Sequence, residues 1–298
     1  LNDLTNQNDN EENDKFKLKQ ISISELGSLG EEYYLDYIFH RYRYEIFPKK
    51  KIIDEYPPCL QIEPSSICNY RCVFCFETDK SFTNKKNGFM GTMNINVFKK
   101  IIDKAYNNIQ FITLASRGEP LVSKSFIKML KYTENKFLNL KLNTNASLMT
   151  EEICHAILSD TVKTLVISAD AADENLYKKI RVNGTLKKVL KNIELFNNIK
   201  EKHYKNSKII TRVSGVKFSK EQDFVSMVKL WKNLVDQVAF VQYNPWENCY
   251  LAPETKIKDP CSDLWRRMFI WWDGKINPCD VDYKSNLSVG QFKEKNLN

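Results

Sequence analysis

Short apolar segments alternate with longer amphipathic ones along the chain. Segments rich in β-branched and aromatic residues predict six strands, at 59–64, 109–116, 139–145, 164–170, 208–216 and 237–244. Between them, apolar residues recur at helical spacing and predict helices over 94–107, 124–135, 150–158, 173–180, 185–203 and 221–235. This alternation is typical of βα units with a parallel sheet. It predicts an α/β fold in which ligands gather at the carboxyl ends of the strands.

Composition narrows the class of protein. The chain has 298 residues, of which 42% are hydrophobic, and this is enough for one large domain or two small ones. The net charge is +8, but the basic residues are scattered among acidic ones, so the sequence does not favour binding to nucleic acid or to a membrane. A mildly basic surface is equally compatible with an anionic small substrate. No apolar run approaches the ~20 residues of a membrane helix, and the polar N-terminus does not resemble a signal peptide. We therefore expect a cytoplasmic protein.

Eight cysteines are present, and three of them, Cys68, Cys72 and Cys75, lie within eight positions. The chain is lysine-rich and expected in the cytoplasm, where thiols stay reduced. Reduced thiols that cluster in the sequence indicate a metal site. Zinc is the weaker alternative, because no histidine of this chain is at ligand spacing to the cluster. Three thiolates at this spacing can hold three irons of a cuboidal iron–sulfur cluster and leave its fourth iron open.

The stretch CNYRCVFC resembles the C-x3-C-x-Φ-C signature of the radical S-adenosylmethionine (SAM) superfamily, with Phe74 at the aromatic position. The resemblance implies a partial (β/α)6 barrel, a [4Fe–4S] cluster on the three cysteines and SAM on the fourth iron, with Phe74 beside the adenine. It also implies reductive cleavage of SAM to a 5′-deoxyadenosyl radical that abstracts a substrate hydrogen. The electron would come from an external donor such as flavodoxin or ferredoxin.

Two strand ends carry residues that fit this resemblance. SRGEP, at 116–120, is similar to the GGEP motif that binds the SAM amino group; Gly118 and Glu119 match it, and Arg117 replaces its first glycine. The next strand ends in NTN, where Asn143 and Asn145 offer amides suited to a carboxylate or a ribose. Asparagine is also a common turn residue, so the amides alone are weak evidence.

Two further segments continue the series. SAD places Ser168 and Asp170 at a strand end, where they resemble the S-x-D pair that binds ribose hydroxyls. Arg181, in KKIRVNGT, stands where related proteins have an arginine near the SAM carboxylate. Without the other residues, the sequence would predict that Arg181 is a solvated charge at the end of a helix. The occurrence of such residues at successive strand ends favours a SAM site.

The last third contains a second cysteine pattern. MFIWWDGKINPCD alternates around Asp273 and Gly274 and predicts a β-hairpin. Twelve residues separate Cys261 from Gly274, and four separate Gly274 from Cys279. This spacing resembles the opening of the SPASM/Twitch extension and implies an auxiliary iron–sulfur cluster on Cys261 and Cys279, with Cys249 as a further ligand. The later cysteines of a full SPASM domain are missing, so we expect the natural chain to continue past Asn298.

We therefore predict four segments. These are a disordered tail (1–20), an N-terminal cover formed by one aromatic helix (21–56), the partial barrel (57–245) and an auxiliary-cluster segment (246–298). RYRYEIF and FVQYNPWENCY could stack on a sugar or a nucleotide, so we favour a carbohydrate or small-metabolite substrate. The alternatives are a SPASM-type peptide or protein maturase, a non-catalytic iron–sulfur electron-transfer protein and a zinc-binding interaction module.

Overall fold

The computed structural model describes residues 16–159, 161–247, 249–250 and 258–292. The strands in these ranges are β1 (Cys59–Ile62), β2 (Arg71–Cys72), β3 (Phe111–Leu114), β4 (Asn139–Thr144), β5 (Thr164–Ser168), β6 (Arg181–Val182), β7 (Ile210–Lys217), β8 (Gln237–Gln242), β9 (Arg267–Ile270), β10 (Lys275–Asn277) and β11 (Gly290–Gln291). Most of the predicted tail, 1–15, lies outside the described residues.

The helices follow the predicted alternation with the strands. They are α1 (Gln20–Gly27), α2 (Tyr34–Lys50), α3 (Lys80–Thr83), α4 (Ile95–Ala105), α5 (Phe126–Thr133), α6 (Glu151–Leu158), α7 (Glu174–Ile180), α8 (Leu186–His203), α9 (Phe224–Trp231) and α10 (Asp263–Arg266). Side-chain caps begin several of them; Thr150, for example, accepts a hydrogen bond from the backbone N–H of Ile153 at the start of α6.

One sheet runs in the order β11-β10-β9-β1-β3-β4-β5-β7-β8. The pairs from β9 to β8 are all parallel, and only the pairs of β10 are antiparallel. The six predicted strands correspond to β1, β3, β4, β5, β7 and β8. The prediction of an α/β fold with a mostly parallel sheet is therefore confirmed.

The two faces of the sheet differ in burial. On the helix side, Leu142, Leu165 and Val213 are fully buried and belong to the same apolar core as α4, α6 and α8. Residues at the alternating positions of β4 and β7, among them Lys141 and Arg212, keep partial exposure. Side chains on a strand alternate between faces, so the second face borders a space that water reaches. We call this space the barrel lumen.

The N-terminal segment differs from its prediction. The single aromatic helix is wrong: the chain leaves α1 after Gly27 and begins α2 at Tyr34, because glycines weaken a helix at this point. Tyr37 is fully buried, and the ring of His40 stacks on Phe111 at 3.5 Å. Phe111 opens β3, so the segment covers the amino end of the barrel.

The predicted hairpin is confirmed, but its place in the sheet was not predicted. β9 and β10 pair around Gly274, which has φ +85° and whose N–H donates to the carbonyl of Trp271 at 2.9 Å. β9 also pairs in parallel with β1, from Cys59↔Arg267 to Ile62↔Ile270. The hairpin therefore extends the barrel sheet beside the strand that leads into the cysteine loop. No helix in the described ranges is long and apolar enough to cross a membrane.

Candidate active site

The cysteine loop follows β1 at the carboxyl end of the sheet. Cys72 is buried, whereas Cys68 and Cys75 are partly buried. Burial raises the pKa of the Cys75 thiol to about 12 and raises those of Cys68 and Cys72 in the same direction. Donors nevertheless face the sulfurs, since the Tyr70 N–H lies 3.4 Å from Cys68 Sγ. Such donors favour the thiolate form that binds iron.

The three thiols of the loop are candidate ligands for a cluster. Within the described residues, no three His, Cys, Asp or Glu side chains converge on a point where one metal ion could bind. A cuboidal cluster takes each cysteine on a different iron, so the thiolates that hold it do not meet at one point. The loop thus offers a donor set of the kind a [4Fe–4S] cluster requires.

Arg181 reaches the loop through a short ladder between β2 and β6, in which it pairs with Cys72. Its Nη1 lies 3.8 Å from Cys72 Sγ, and its Nε donates to Asp170 Oδ2 at 2.5 Å. The other oxygen of Asp170 accepts the Val216 N–H at 2.6 Å, and Asp170 is fully buried. Arg181 is thus no solvated helix-end charge, and both oxygens of the predicted ribose-binding carboxylate bond within the protein.

Glu119 and Asn145 tie neighbouring loops together. Glu119 accepts hydrogen bonds from Thr144 Oγ1 at 2.6 Å and from the Asn145 N–H at 2.7 Å. Asn145 Nδ2 donates to Asn69 Oδ1, inside the cysteine loop, at 3.0 Å. A Cβ on Gly118 would lie 2.4 Å from the Ser66 backbone, so only glycine allows this contact. The GEP turn therefore packs directly against the cysteine loop.

Three polar side chains at strand ends remain available to a ligand. Asn143 Oδ1 and Ser116 Oγ are buried and have no hydrogen-bond partner among the residues described here. Ser168 is partly exposed at the end of β5, in register with Ser214. Unpaired buried polar atoms are costly, so these positions fit a polar ligand such as SAM. Sequence reasoning missed Ser116, although its place directly after a strand was a usable signal.

Arg117 explains the departure from the GGEP motif. Its Nε donates to Glu63 Oε1 at 2.8 Å, and its Nη1 donates to the Tyr283 carbonyl at 2.8 Å. Its guanidinium also lies 4.5 Å from the ring centroid of Trp271. The buried side chain therefore joins the end of β3 to the C-terminal segment.

The second group of cysteines lies beside the hairpin. Burial raises the pKa of Cys279, and the neighbouring Asp280 carboxylate and the Cys261 thiol raise it further. Cys249 Sγ instead lies 3.6 Å from the carbonyl of Val281. Cys249 thus contacts the chain two residues after Cys279, and Cys261 lies within electrostatic range of Cys279.

The two aromatic stretches lie at opposite ends of the sheet. In RYRYEIF, the Tyr44 hydroxyl accepts a hydrogen bond from Arg267, which opens β9 at the amino end, so this stretch lies away from the cysteine loop. In FVQYNPWENCY, Trp246 donates to the Phe74 carbonyl at 3.0 Å and packs edge-on against Tyr283. That stretch borders the site.

Comparison with known proteins decides the family. A sequence model of the radical SAM superfamily matches residues 62–230, and one of the SPASM iron–sulfur cluster-binding domain matches residues 261–298. This chain belongs to the radical SAM superfamily. The enzyme uses radical chemistry, and its two domains imply a [4Fe–4S] cluster, SAM and auxiliary iron–sulfur clusters. The family predicted from the CNYRCVFC signature is confirmed.

Several characterised proteins resemble this radical SAM enzyme. A GTP 3′,8-cyclase of Clostridium botulinum (strain Okra / Type B1) is 26% identical over 249 residues, which cover 80% of this chain and 71% of the cyclase. Streptococcus suis SuiB bound to the precursor peptide SuiA superposes with a TM-score of 0.61 at 18% identity, over 95% of this chain and 70% of SuiB. Native anSMEcpe with bound AdoMet gives 0.58 at 16% identity, over 78% of this chain and 77% of that protein. These superpositions establish a shared fold.

Proposed function

We propose that this radical SAM enzyme abstracts a hydrogen atom from a small polar metabolite, such as a carbohydrate derivative, that binds in the barrel lumen. The observation that carries the proposal is the position of the lumen. The cysteine loop and the strand-end polar groups surround its carboxyl end, and the N-terminal segment packs across its amino end. A substrate in the lumen would therefore contact SAM from the side of the amino ends of the strands.

The chain's own residues would position the reactants. Cys68, Cys72 and Cys75 would bind three irons, and the bound cluster with SAM supplies a 5′-deoxyadenosyl radical after one-electron reduction by an external donor. Phe74, Gly118, Asn143 and Ser168 would line the SAM site.

A second set of residues would hold the loops of the SAM site in position without contacting SAM. Glu119 and Asn145 would hold the turn and the cysteine loop in place, because their polar atoms bond to neighbouring loops. Asp170 would orient Arg181 towards the cysteine loop through their ion pair. These residues act through others and are positioning residues.

We also propose that Cys261 and Cys279 bind an auxiliary cluster, with Cys249 as a further ligand. The Cys261→Ala, Cys279→Ala double variant is expected to lose the auxiliary iron while it retains uncoupled cleavage of SAM to 5′-deoxyadenosine. Iron and sulfide content and electron paramagnetic resonance spectra of the anaerobically reconstituted protein check this prediction. The control is Cys154→Ala, which removes a fully buried cysteine of the core and should leave the iron content unchanged. Loss of SAM cleavage with the auxiliary iron retained would contradict the assignment.

A peptide substrate is the second candidate. β8 closes one edge of the sheet, and its last residues are exposed, so an extended peptide could pair along it. The superposition with peptide-bound SuiB over most of this chain adds support.

One experiment separates the two candidates. The reduced enzyme with unlabelled SAM is incubated with an extract of cells grown in deuterated medium, divided into a low-mass fraction and a peptide and protein fraction. A small-molecule substrate is expected to transfer deuterium into 5′-deoxyadenosine only with the low-mass fraction. Transfer only with the peptide fraction would favour a maturase, and absence of 5′-deoxyadenosine altogether would favour an electron-transfer protein.

A further inference from the structure

Lys141 occupies an unusual position for a lysine. It lies in the middle of β4, on the lumen side, where it is in register with Thr113 of β3. Its ammonium group forms no hydrogen bond or ion pair with any residue for which the structure gives a position. The side chain is nevertheless close enough to Arg212, Arg267 and Glu25 to feel their charges.

The nearby carboxylate of Glu25 is already occupied. Glu25 Oε1 pairs with Arg212 Nη2 at 3.3 Å, and Glu25 Oε2 accepts the Tyr37 hydroxyl at 2.7 Å. Arg212 Nε donates to Gln237 at 2.7 Å. Arg212 and Tyr37 therefore take the two oxygens of Glu25, and Lys141 has no counter-ion among the described residues.

A cation that is only partly exposed to water and has no counter-ion is costly. Burial lowers the pKa of Lys141, and the charge of Arg267 lowers it further. Apolar side chains would stabilise this part of the barrel better than an unpaired ammonium. Asn143, two residues further along the same face, has a buried Oδ1 with no hydrogen-bond partner within the described ranges.

We propose that Lys141 and Arg212 bind an anionic group of the substrate, a phosphate or a carboxylate, at the base of the barrel lumen. This inference rests on the proposed binding of substrate in the lumen. The substrate would enter the lumen with its anion through the carboxyl end of the barrel, because Tyr37 and His40 pack across the amino end. Asn143, in the next layer of side chains, would hydrogen-bond the ligand between the anion and SAM.

Strand geometry sets the length of the substrate. Lys141 lies in β4 four positions before Asn145, which directly follows the strand and contacts the cysteine loop. At about 3.3 Å per residue, this separation is roughly 13 Å. Part of this length is taken by the lysine side chain and by SAM, and the remainder fits a compact metabolite with an anion at one end and the reacting C–H at the other.

The test measures anion binding without radical chemistry. Holoenzyme with SAM bound and no reductant is titrated with inorganic phosphate, pyrophosphate and succinate, each followed by calorimetry at constant ionic strength. Phosphates and succinate distinguish the two kinds of anion. We expect at least one of them to bind, and Lys141→Met to weaken that binding about ten- to hundredfold, as for the loss of a charged hydrogen bond. Lys141→Arg should restore most of the affinity.

The matched control is Lys205→Met. Lys205 is an exposed lysine on a cleft at the amino end of the sheet, outside the lumen. Its variant should bind the anion as the wild type does. Thermal unfolding adds a separate measure, because Lys141→Met removes an unpaired charge and should leave the unfolding temperature unchanged or higher. Equal affinity in wild type and Lys141→Met, loss of binding in Lys205→Met alone, or no binding of any anion would overturn the proposal. 5′-Deoxyadenosine formation, measured separately, reports on the proposed radical function.

Discussion

Cys72→Ala is expected to abolish formation of 5′-deoxyadenosine from SAM. Cys72 is the central thiol of the loop, and it is held by the β2–β6 ladder and by Arg181 Nη1 at 3.8 Å from its sulfur. A cluster that loses one of three cysteine ligands cannot be held in position to bind SAM. The measurement is 5′-deoxyadenosine by mass spectrometry, after anaerobic reconstitution and incubation with SAM and a strong reductant.

The control for this experiment is Cys59→Ala. Cys59 lies at the opposite end of β1, where its sulfur contacts Thr113 Oγ1 at 3.7 Å. Its variant should retain both product formation and iron content. If Cys72→Ala still formed product at the wild-type rate, the assignment of the cysteine loop to the SAM-binding cluster would be wrong.

Asp170→Ala is expected to lower the free energy of unfolding by roughly 3–5 kcal/mol, the usual cost of removing one partner from a buried ion pair. Asp170 is fully buried and bonds to Arg181 Nε and to the Val216 N–H. Without the carboxylate, a buried guanidinium and a backbone donor both lose their partner. Urea unfolding of the anaerobic apoprotein, followed by circular dichroism, measures the change.

Asp223→Ala is the matched control for this variant. Asp223 also accepts hydrogen bonds from backbone N–H groups, but it does so as the exposed N-cap of α9, where its loss should cost about 1 kcal/mol. A loss for Asp170→Ala no larger than that of Asp223→Ala would show that its pair with Arg181 contributes little to folding.

Much of the barrel could be predicted from sequence because its signals are local. The apolar segments that became β1, β3, β4, β5, β7 and β8 are each flanked by amphipathic helices, and the DG turn of the hairpin is a short-range signal. The cysteine loop was recognisable because three thiols with fixed spacing have few other uses. The break between α1 and α2 is not indicated by the apolar spacing, which continues through this segment; it follows from Gly27 and Gly30, which weaken a helix.

The remaining features depend on contacts between distant parts of the chain. The sequence around Arg267 does not indicate that β9 pairs with β1, because the register is set by residues far apart. The partners of Asp170 and Arg117 likewise become visible only when loops meet. Lys141 and Arg212 can be singled out in the sequence, because each is a charged residue within a predicted strand. Only the fold shows that both face the barrel lumen.

The pairing of β9 with β1 has a consequence for the order of events during synthesis. β1 lies in the middle of the sheet, and one of its edges is completed only by residues from the last part of the described chain. While the ribosome is still making that part, β1 exposes an unpaired edge next to the cysteine loop. Glu63, whose N–H donates to the Ile270 carbonyl at 2.9 Å, also lacks that partner until then. The cysteine loop thus gains its full support only after residues 267–270 have been made, so we expect its final geometry to form late in folding.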